Sequence, residues 1–142
     1  MVRLLIFAPL LVLPILLYAL VAMTAGGDGA HVRLQSVLFG MPMLSGGRWI
    51  FTLGDLILLV GLFTLFVEIL KAARTKSDAV VNHSFSMILL VAAVILFLIV
   101  PGFGTSVFFL IMIMCLLDVI AGPIVSIVAA RRDFGVSGDV GG

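Results

Sequence analysis

Four long runs of apolar residues, separated by short polar or glycine-rich segments, dominate this chain. A helix needs roughly 20 apolar residues to cross the hydrocarbon core of a bilayer, and each run is close to that length. We therefore predict an all-α polytopic membrane protein in which four transmembrane helices pack as an antiparallel bundle. The predicted spans cover about residues 4–24, 49–71, 84–101 and 105–130.

The segments between the runs predict how the helices connect. Pro101-Gly102-Phe103-Gly104 is so short that the third and fourth spans must form an antiparallel helix pair. Residues 25–48 form the longest loop, in which the mixed helix and strand periods of residues 31–39 favour a short helix on the membrane surface. Pro9 and Pro14 interrupt the first run and predict a kink in its helix.

The composition excludes several classes of protein. The chain is 63% hydrophobic and 11% charged, whereas a soluble domain is about half apolar and about a quarter charged. Its net charge of +1 provides no basic surface for a nucleic acid, so none is expected as a partner. Cys115 is the single cysteine, which excludes an intrachain disulfide and a cysteine-rich metal site.

The basic residues predict the orientation in the membrane, because Lys and Arg in short loops stay in the cytoplasm. One side of the predicted bundle holds six of them and the other side holds two. The six are Arg3, Lys71, Arg74, Lys76, Arg131 and Arg132, and the two are Arg33 and Arg48. Both termini are therefore expected in the cytoplasm. Residues 1–133 form one transmembrane domain, and the glycine-rich residues 134–142 form a flexible cytoplasmic tail.

Small and polar residues recur at helical spacing on one face of the second and fourth spans. Because small residues let helices approach closely in lipid, we expect these faces to form the contact between helices. The second span contributes Gly54, Gly61, Thr64 and Glu68, and the fourth contributes Cys115, Asp118, Gly122 and Ser126.

Asp118 is the most informative residue, because it falls near the middle of the fourth span. A carboxylate at the bilayer centre costs roughly 2.5 to 3.5 kcal/mol, so the side chain should face the protein interior. One interpretation is a proton relay or a ligand-binding carboxylate. The other is a protonated acid that ties helices together, with the hydroxyl of Tyr18 at a similar depth as its best partner.

The remaining ionisable residues allow two interpretations each. Glu68 pairs with Lys71, or it joins His83, Ser86 and Ser126 in a polar route from the cytoplasm. Two further residues lie at the edges of spans. Asp55, near the outer face, pairs with Arg48 or accepts interfacial hydrogen bonds, and His83 is a solvated or capping residue or else an axial ligand of a pigment or metal.

Chemical motifs are lacking. His31 and His83 lie on opposite sides of the membrane and cannot share a metal or haem. The chain contains no His-Glu-x-x-His, phosphate loop or Gly-x-Ser-x-Gly, so we expect no catalytic residues, no metal and no enzymatic activity. No cofactor is predicted. The aromatic residues of the last helix pair are expected to face lipid, where contact with a lipid, a quinone or a carotenoid is an alternative; they are Phe103, Phe108 and Phe109.

Several segments resemble a family of small, uncharacterised four-helix inner-membrane proteins of alphaproteobacterial type. They are Gly54-Asp55-Leu56, residues 66–72, Arg74-Thr75, Asn82-His83, Asp118-Val119 and Arg131-Arg132-Asp133. The resemblance covers about the last two-thirds of the chain. It implies the fold and a multi-pass location in the bacterial inner membrane, and it implies no catalytic residues.

Three functions agree with these observations. The first is a non-catalytic accessory or structural subunit of a larger membrane complex of respiratory or photosynthetic type, with membrane lipids and other membrane-protein subunits as partners. The second is a small channel or proton-coupled carrier that uses Asp118. The third is a lipid- or quinone-binding assembly factor.

Overall fold

The computed structural model describes residues 9–26, 29–72 and 79–136. Five helices and two strands occur in this part of the chain. They are α1 (Val12–Ala25), α2 (Gly29–Leu34), β1 (Val37–Pro42), β2 (Arg48–Thr52), α3 (Leu53–Ala72), α4 (Ala79–Ile99) and α5 (Ser106–Val136). The predictions for the first eight residues, for the basic loop at 73–78 and for residues 137–142 of the tail lie outside the described residues.

Among the described residues, three helices are long and apolar enough to cross a membrane, which confirms the mostly helical fold and agrees with a membrane protein. The apolar segments are Leu53–Ala72 in α3, Asn82–Ile99 in α4 and Ser106–Ile124 in α5. Helix α1 has 14 residues, which corresponds to about 21 Å at a rise of about 1.5 Å per residue. Since a hydrocarbon core is about 30 Å thick, the fourth crossing stays a prediction.

The first predicted span is not helical at all of its described residues. The chain is not α-helical at residues 9–11, and α1 starts at Val12. Pro14 therefore lies in the first turn of α1, where a backbone N–H has no acceptor within the helix. This proline removes no hydrogen bond of α1 at that position, and the kink expected from Pro9 and Pro14 stays a prediction.

A β-hairpin occupies much of the long loop, for which a surface helix over residues 31–39 was expected. That helix, α2, ends at Leu34, and the chain then forms the antiparallel strands β1 and β2. The prediction is wrong for the second half of the segment. Aromatic and β-branched residues there pair across a turn in which Gly46 adopts a φ of +84°, a value that glycine accepts without strain.

The helix of the second predicted span, α3, begins at Leu53. The prediction placed its start at Trp49, but Trp49 belongs to β2. Thr52 and Asp55 define the start of α3. The Asp55 carboxylate accepts the backbone N–H of Thr52 at 2.9 Å and its hydroxyl at 2.7 Å, and the Asp55 N–H donates to the Thr52 hydroxyl at 3.2 Å. These reciprocal bonds are a capping box, which explains Asp55 without Arg48.

Helix α5 packs against both α3 and α4, while α1 packs against α2 and α3. Two glycines of α3 lie where these helices approach closely. A β-carbon on Gly61 would lie 2.8 Å from the Met114 sulfur, and one on Gly54 would lie 3.0 Å from Val107. Either distance is shorter than ordinary van der Waals contact, so the small-residue face of α3 allows α5 to approach.

Candidate functional site

Four polar side chains are buried among the residues whose side chains the structure describes: Thr64, Glu68, Ser86 and Asp118. They belong to α3, α4 and α5, inside the segments that are apolar enough to span a membrane. The Thr64 hydroxyl donates to the Gly61 carbonyl of its own helix at 2.9 Å and is thereby satisfied. The other three, together with Lys71 and His83, form a group that we call the polar cluster.

Glu68 connects α3 to the start of α1. Its Oε1 atom accepts the backbone N–H of Leu10, in the turn that leads into α1, and lies 3.3 Å from the ammonium group of Lys71. The Glu68 side chain is fully buried, whereas Lys71 keeps part of its surface exposed. The pairing with Lys71 that the sequence predicts is therefore present, and the bond to Leu10 adds a second partner.

Asp118 shares a side-chain hydrogen bond with Ser86 of α4 and interacts electrostatically with Glu68, Lys71 and His83. His83 and Ser86 are three residues apart and so lie on one face of α4. A β-carbon on Gly122 would lie 4.0 Å from the His83 ring nitrogen Nδ1, which shows that this face lies against α5. The structure thus brings Asp118 close to Glu68, His83 and Ser86, three of the four residues that the sequence suggested as a polar route.

Tyr18 does not bond to Asp118, which corrects the partner expected from the sequence. Its hydroxyl donates to the Gly102 carbonyl at 2.7 Å and lies 2.6 Å from the Thr105 hydroxyl, in the turn between α4 and α5. Tyr18 lies beside the turn that precedes α5, whereas Asp118 lies about three helical turns after the start of α5. The side-chain partner of Asp118 is Ser86 of α4.

The aromatic residues near this turn are also mostly buried, although a lipid-facing position was expected. Phe103 and Phe108 are buried and pack on the Tyr18 ring, with ring centroids 5.3 Å and 4.8 Å from it. Phe109 remains exposed, as expected. The hydroxyl of Tyr18 holds the turn in place. The contact with the Tyr18 ring accounts for the burial of Phe103 and Phe108.

Three buried polar atoms lack a hydrogen-bond partner among the described residues, and all three are oxygens. They are Glu68 Oε2, Asn82 Oδ1 and Asp118 Oδ2, one from each of α3, α4 and α5. A buried acceptor without a donor costs free energy. The carboxyl oxygens of Glu68 and Asp118 in the polar cluster can each accept a hydrogen bond or bind a proton.

The other residues singled out from the sequence add no polar group to the polar cluster among the described side chains. Gly122 lies beside His83, and the side chain of Ser126 lies outside the described part of the chain. His31 bonds to Gln35 through Nε2 at 2.9 Å, remote from the polar cluster. Among the described residues, no three His, Cys, Asp or Glu side chains are arranged to hold a metal ion.

Comparison with protein-family models, with curated proteins and with solved structures gives no match to this chain.

Proposed function

We propose that the protein is a small proton-coupled carrier or channel in which Asp118 and Glu68 bind and release protons. The observation that supports it best is a pair of buried carboxyl groups on two packed membrane-spanning helices, each with one oxygen that has no partner among the described residues. Ionisable residues at such depth are costly and typically mark ion pathways.

The charges around the two acids suggest how a proton would enter. Lys71 is partly exposed near the end of α3, and His83 is half-buried on α4. Both interact electrostatically with Asp118. Carboxyl and imidazole groups are the side chains that most often relay protons. In this proposal His83 and Glu68 exchange protons with the aqueous side, and Asp118 is the innermost site.

The proposal extends to topology. Four spans, with both termini in the cytoplasm of a bacterial inner membrane, agree with the six basic residues on one predicted side and the two on the other. In that orientation the polar cluster opens toward the cytoplasm, and the β-hairpin lies on the outer side.

Proton uptake by reconstituted vesicles tests the function. The purified protein should conduct protons into vesicles under an imposed membrane potential, and Asp118→Asn should reduce this uptake about tenfold or more, because the amide cannot exchange a proton. A dye inside the vesicles reports the pH. Asp55→Asn is the matched control, since Asp55 belongs to the capping box of α3, and it should conduct like the parent. Equal uptake by parent and Asp118→Asn, or by parent and protein-free vesicles, would reject the proposal.

A second function, an accessory subunit of a larger membrane complex, is favoured by the β-hairpin. Its large apolar side chains are exposed although they lie outside the spanning helices. They are Val37, Leu38, Phe39, Met41, Met43, Leu44, Trp49 and Ile50. Exposed apolar side chains in this number typically mark an interaction site. We propose that this surface contacts another membrane-protein subunit of a respiratory or photosynthetic complex.

Photocrosslinking from the turn of the β-hairpin tests this second function. A photoreactive residue at Leu44, which is fully exposed, should form one discrete adduct with another polypeptide in the native membrane. The same residue at Leu62, exposed on the apolar face of α3, should react with lipid. Met43→Ser combined with Leu44→Ser should release the chain from its complex. A monomer in mild detergent, with no protein adduct at Leu44, argues against an accessory subunit.

A further inference from the structure

A cleft of about 410 Å³ lies between α2 and the turn that joins α4 to α5. Its lining includes His31 of α2, Pro101 of the turn and the last residues of α4, which are Phe97, Leu98 and Ile99. The apolar segment of α4 ends at Ile99, so a helix that spans a membrane places this cleft at the depth of the lipid head groups. The polar cluster lies toward the other end of α4, and the proposed carrier makes no use of the cleft.

The end of α4 brings several hydrogen-bond acceptors to the cleft. The carbonyls of Phe97, Leu98 and Ile99 accept no backbone N–H from the turn that follows, whose bonds run to other carbonyls. For Phe97 the cause is chemical, because the residue four positions later is Pro101, which has no N–H. The last turn of α4 has no basic residue, although the carbonyl end of a helix attracts positive charge. The cleft therefore favours a cationic group with N–H donors.

His31 brings a hydrogen-bond donor to the same cleft. Its Nε2 atom lies 2.9 Å from the side-chain nitrogen of Gln35. An amide nitrogen only donates, so Nε2 is the acceptor, and the neutral imidazole carries its proton on Nδ1. The Nδ1–H group can donate to an anionic oxygen, and the oxygens of a phosphate are strong acceptors. The cleft thus combines acceptors for a cation with a donor for an anion.

We propose that the cleft binds a phosphoethanolamine group, with its ammonium against the carbonyls at the end of α4 and its phosphate on His31. The volume of about 410 Å³ falls within the range of small-molecule sites, roughly 300 to 1,000 Å³. Two sources carry this group, the head group of a bilayer phospholipid and soluble phosphoethanolamine. The exposed apolar side chains of Leu98 and Ile99 beside the cleft favour the lipid, since they provide a surface for its acyl chains.

The choline head group is the comparison that isolates the hydrogen bonds. It carries the same charges as the ethanolamine head group, but methyl groups replace the N–H groups of its ammonium. It therefore cannot donate to the carbonyls of α4, and it should bind the cleft more weakly.

Thermal unfolding in detergent measures the binding, because a ligand of the folded chain raises its melting temperature by mass action. Dioleoyl phosphatidylethanolamine should raise it by about 3 °C or more near saturation. Dioleoyl phosphatidylcholine at the same concentration should raise it much less. From an equal mixture of the two lipids, native mass spectrometry should detect a retained ethanolamine lipid.

Two variants locate the site. His31→Ala removes the donor for the phosphate and should lose most of the rise; His31 is exposed, so the variant should fold. Pro101→Ala introduces an N–H that can donate to the Phe97 carbonyl, so it should also weaken the rise. Val32→Ala is the matched control, since Val32 is exposed on α2 and does not line the cleft. It should keep the full rise.

Soluble phosphoethanolamine distinguishes the two sources. A rise with the lipid alone assigns the cleft to a lipid head group, and an equal rise with soluble phosphoethanolamine assigns it to the soluble compound. Equal rises with the ethanolamine and choline lipids would overturn the inference. A parent that neither lipid nor phosphoethanolamine stabilises would overturn it too, as would a rise that persists in both His31→Ala and Pro101→Ala.

Discussion

Replacing Glu68 with leucine should lower the free energy of unfolding by about 3 kcal/mol, the lower end of the range for breaking a buried ion pair. Glu68 is fully buried, and one of its oxygens serves both Lys71 and the backbone N–H of Leu10. Leucine fills similar space but accepts no hydrogen bond. The Leu10 N–H would lose its acceptor and Lys71 would lose the carboxylate beside it, while the partial exposure of Lys71 moderates the loss.

The matched variant Glu68→Gln keeps an acceptor for Leu10 and removes only the charge. It should lower the free energy of unfolding by about 1 kcal/mol, the usual net contribution of one hydrogen bond, because only the ion pair with Lys71 is lost. Unfolding in mixed micelles, followed by the far-ultraviolet circular dichroism of the helices, measures both. If Glu68→Leu proved as stable as Glu68→Gln, the bond to Leu10 would not contribute to the packing of α1 on α3.

Gly61→Leu should also destabilise the fold, by about 2 to 3 kcal/mol, because overpacking of a close contact displaces its neighbours. Even the β-carbon would lie 2.8 Å from the Met114 sulfur and 3.7 Å from the β-carbon of Pro14. The leucine must therefore separate α3 from α5 and from the start of α1. Because Met114 is flexible, part of the strain is relieved by a change in its side chain.

Gly104→Leu is the control for Gly61→Leu. Gly104 is exposed and has no positive φ, and a β-carbon at this position would have no neighbouring atom within 4 Å, so leucine should be tolerated there. Gly102 would be a poor control, since its φ is +85° and any other residue is strained in that conformation. Equal melting temperatures for Gly61→Leu and Gly104→Leu would contradict the close approach of α3 and α5.

The sequence pattern predicted which segments form long helices better than it predicted where those helices begin. The apolar runs predicted α3, α4 and α5, because in lipid every backbone polar group must be satisfied within its own segment. Residues 9–11 were predicted as helix and the start of α3 was placed too early, since hydropathy does not distinguish an apolar strand or turn from an apolar helix. Trp49 is apolar like the residues of the helix that follows it, but it pairs with Met41 of β1 and therefore belongs to β2.

The sequence pointed to the ionisable residues of the candidate site but did not give their hydrogen-bond partners. Asp118, Glu68 and His83 stood out because an ionisable residue inside an apolar run is costly wherever it lies. Their partners depend on the depth and rotation of each helix, which the sequence leaves open. Ser86 is the partner of Asp118, and the backbone of Leu10 is a partner of Glu68. Both pairs depend on how the helices pack.

By itself, the sequence determined that this chain is a helical membrane protein with acids placed inside apolar helices, because apolar length and the cost of buried charge are local properties. Only the tertiary structure decided that Tyr18 holds the α4–α5 turn, that the backbone of Leu10 bonds to Glu68, and that Asp118 lies near Glu68, Lys71 and His83. Those features depend on contacts between residues far apart in the chain, and the packing of whole helices selects them.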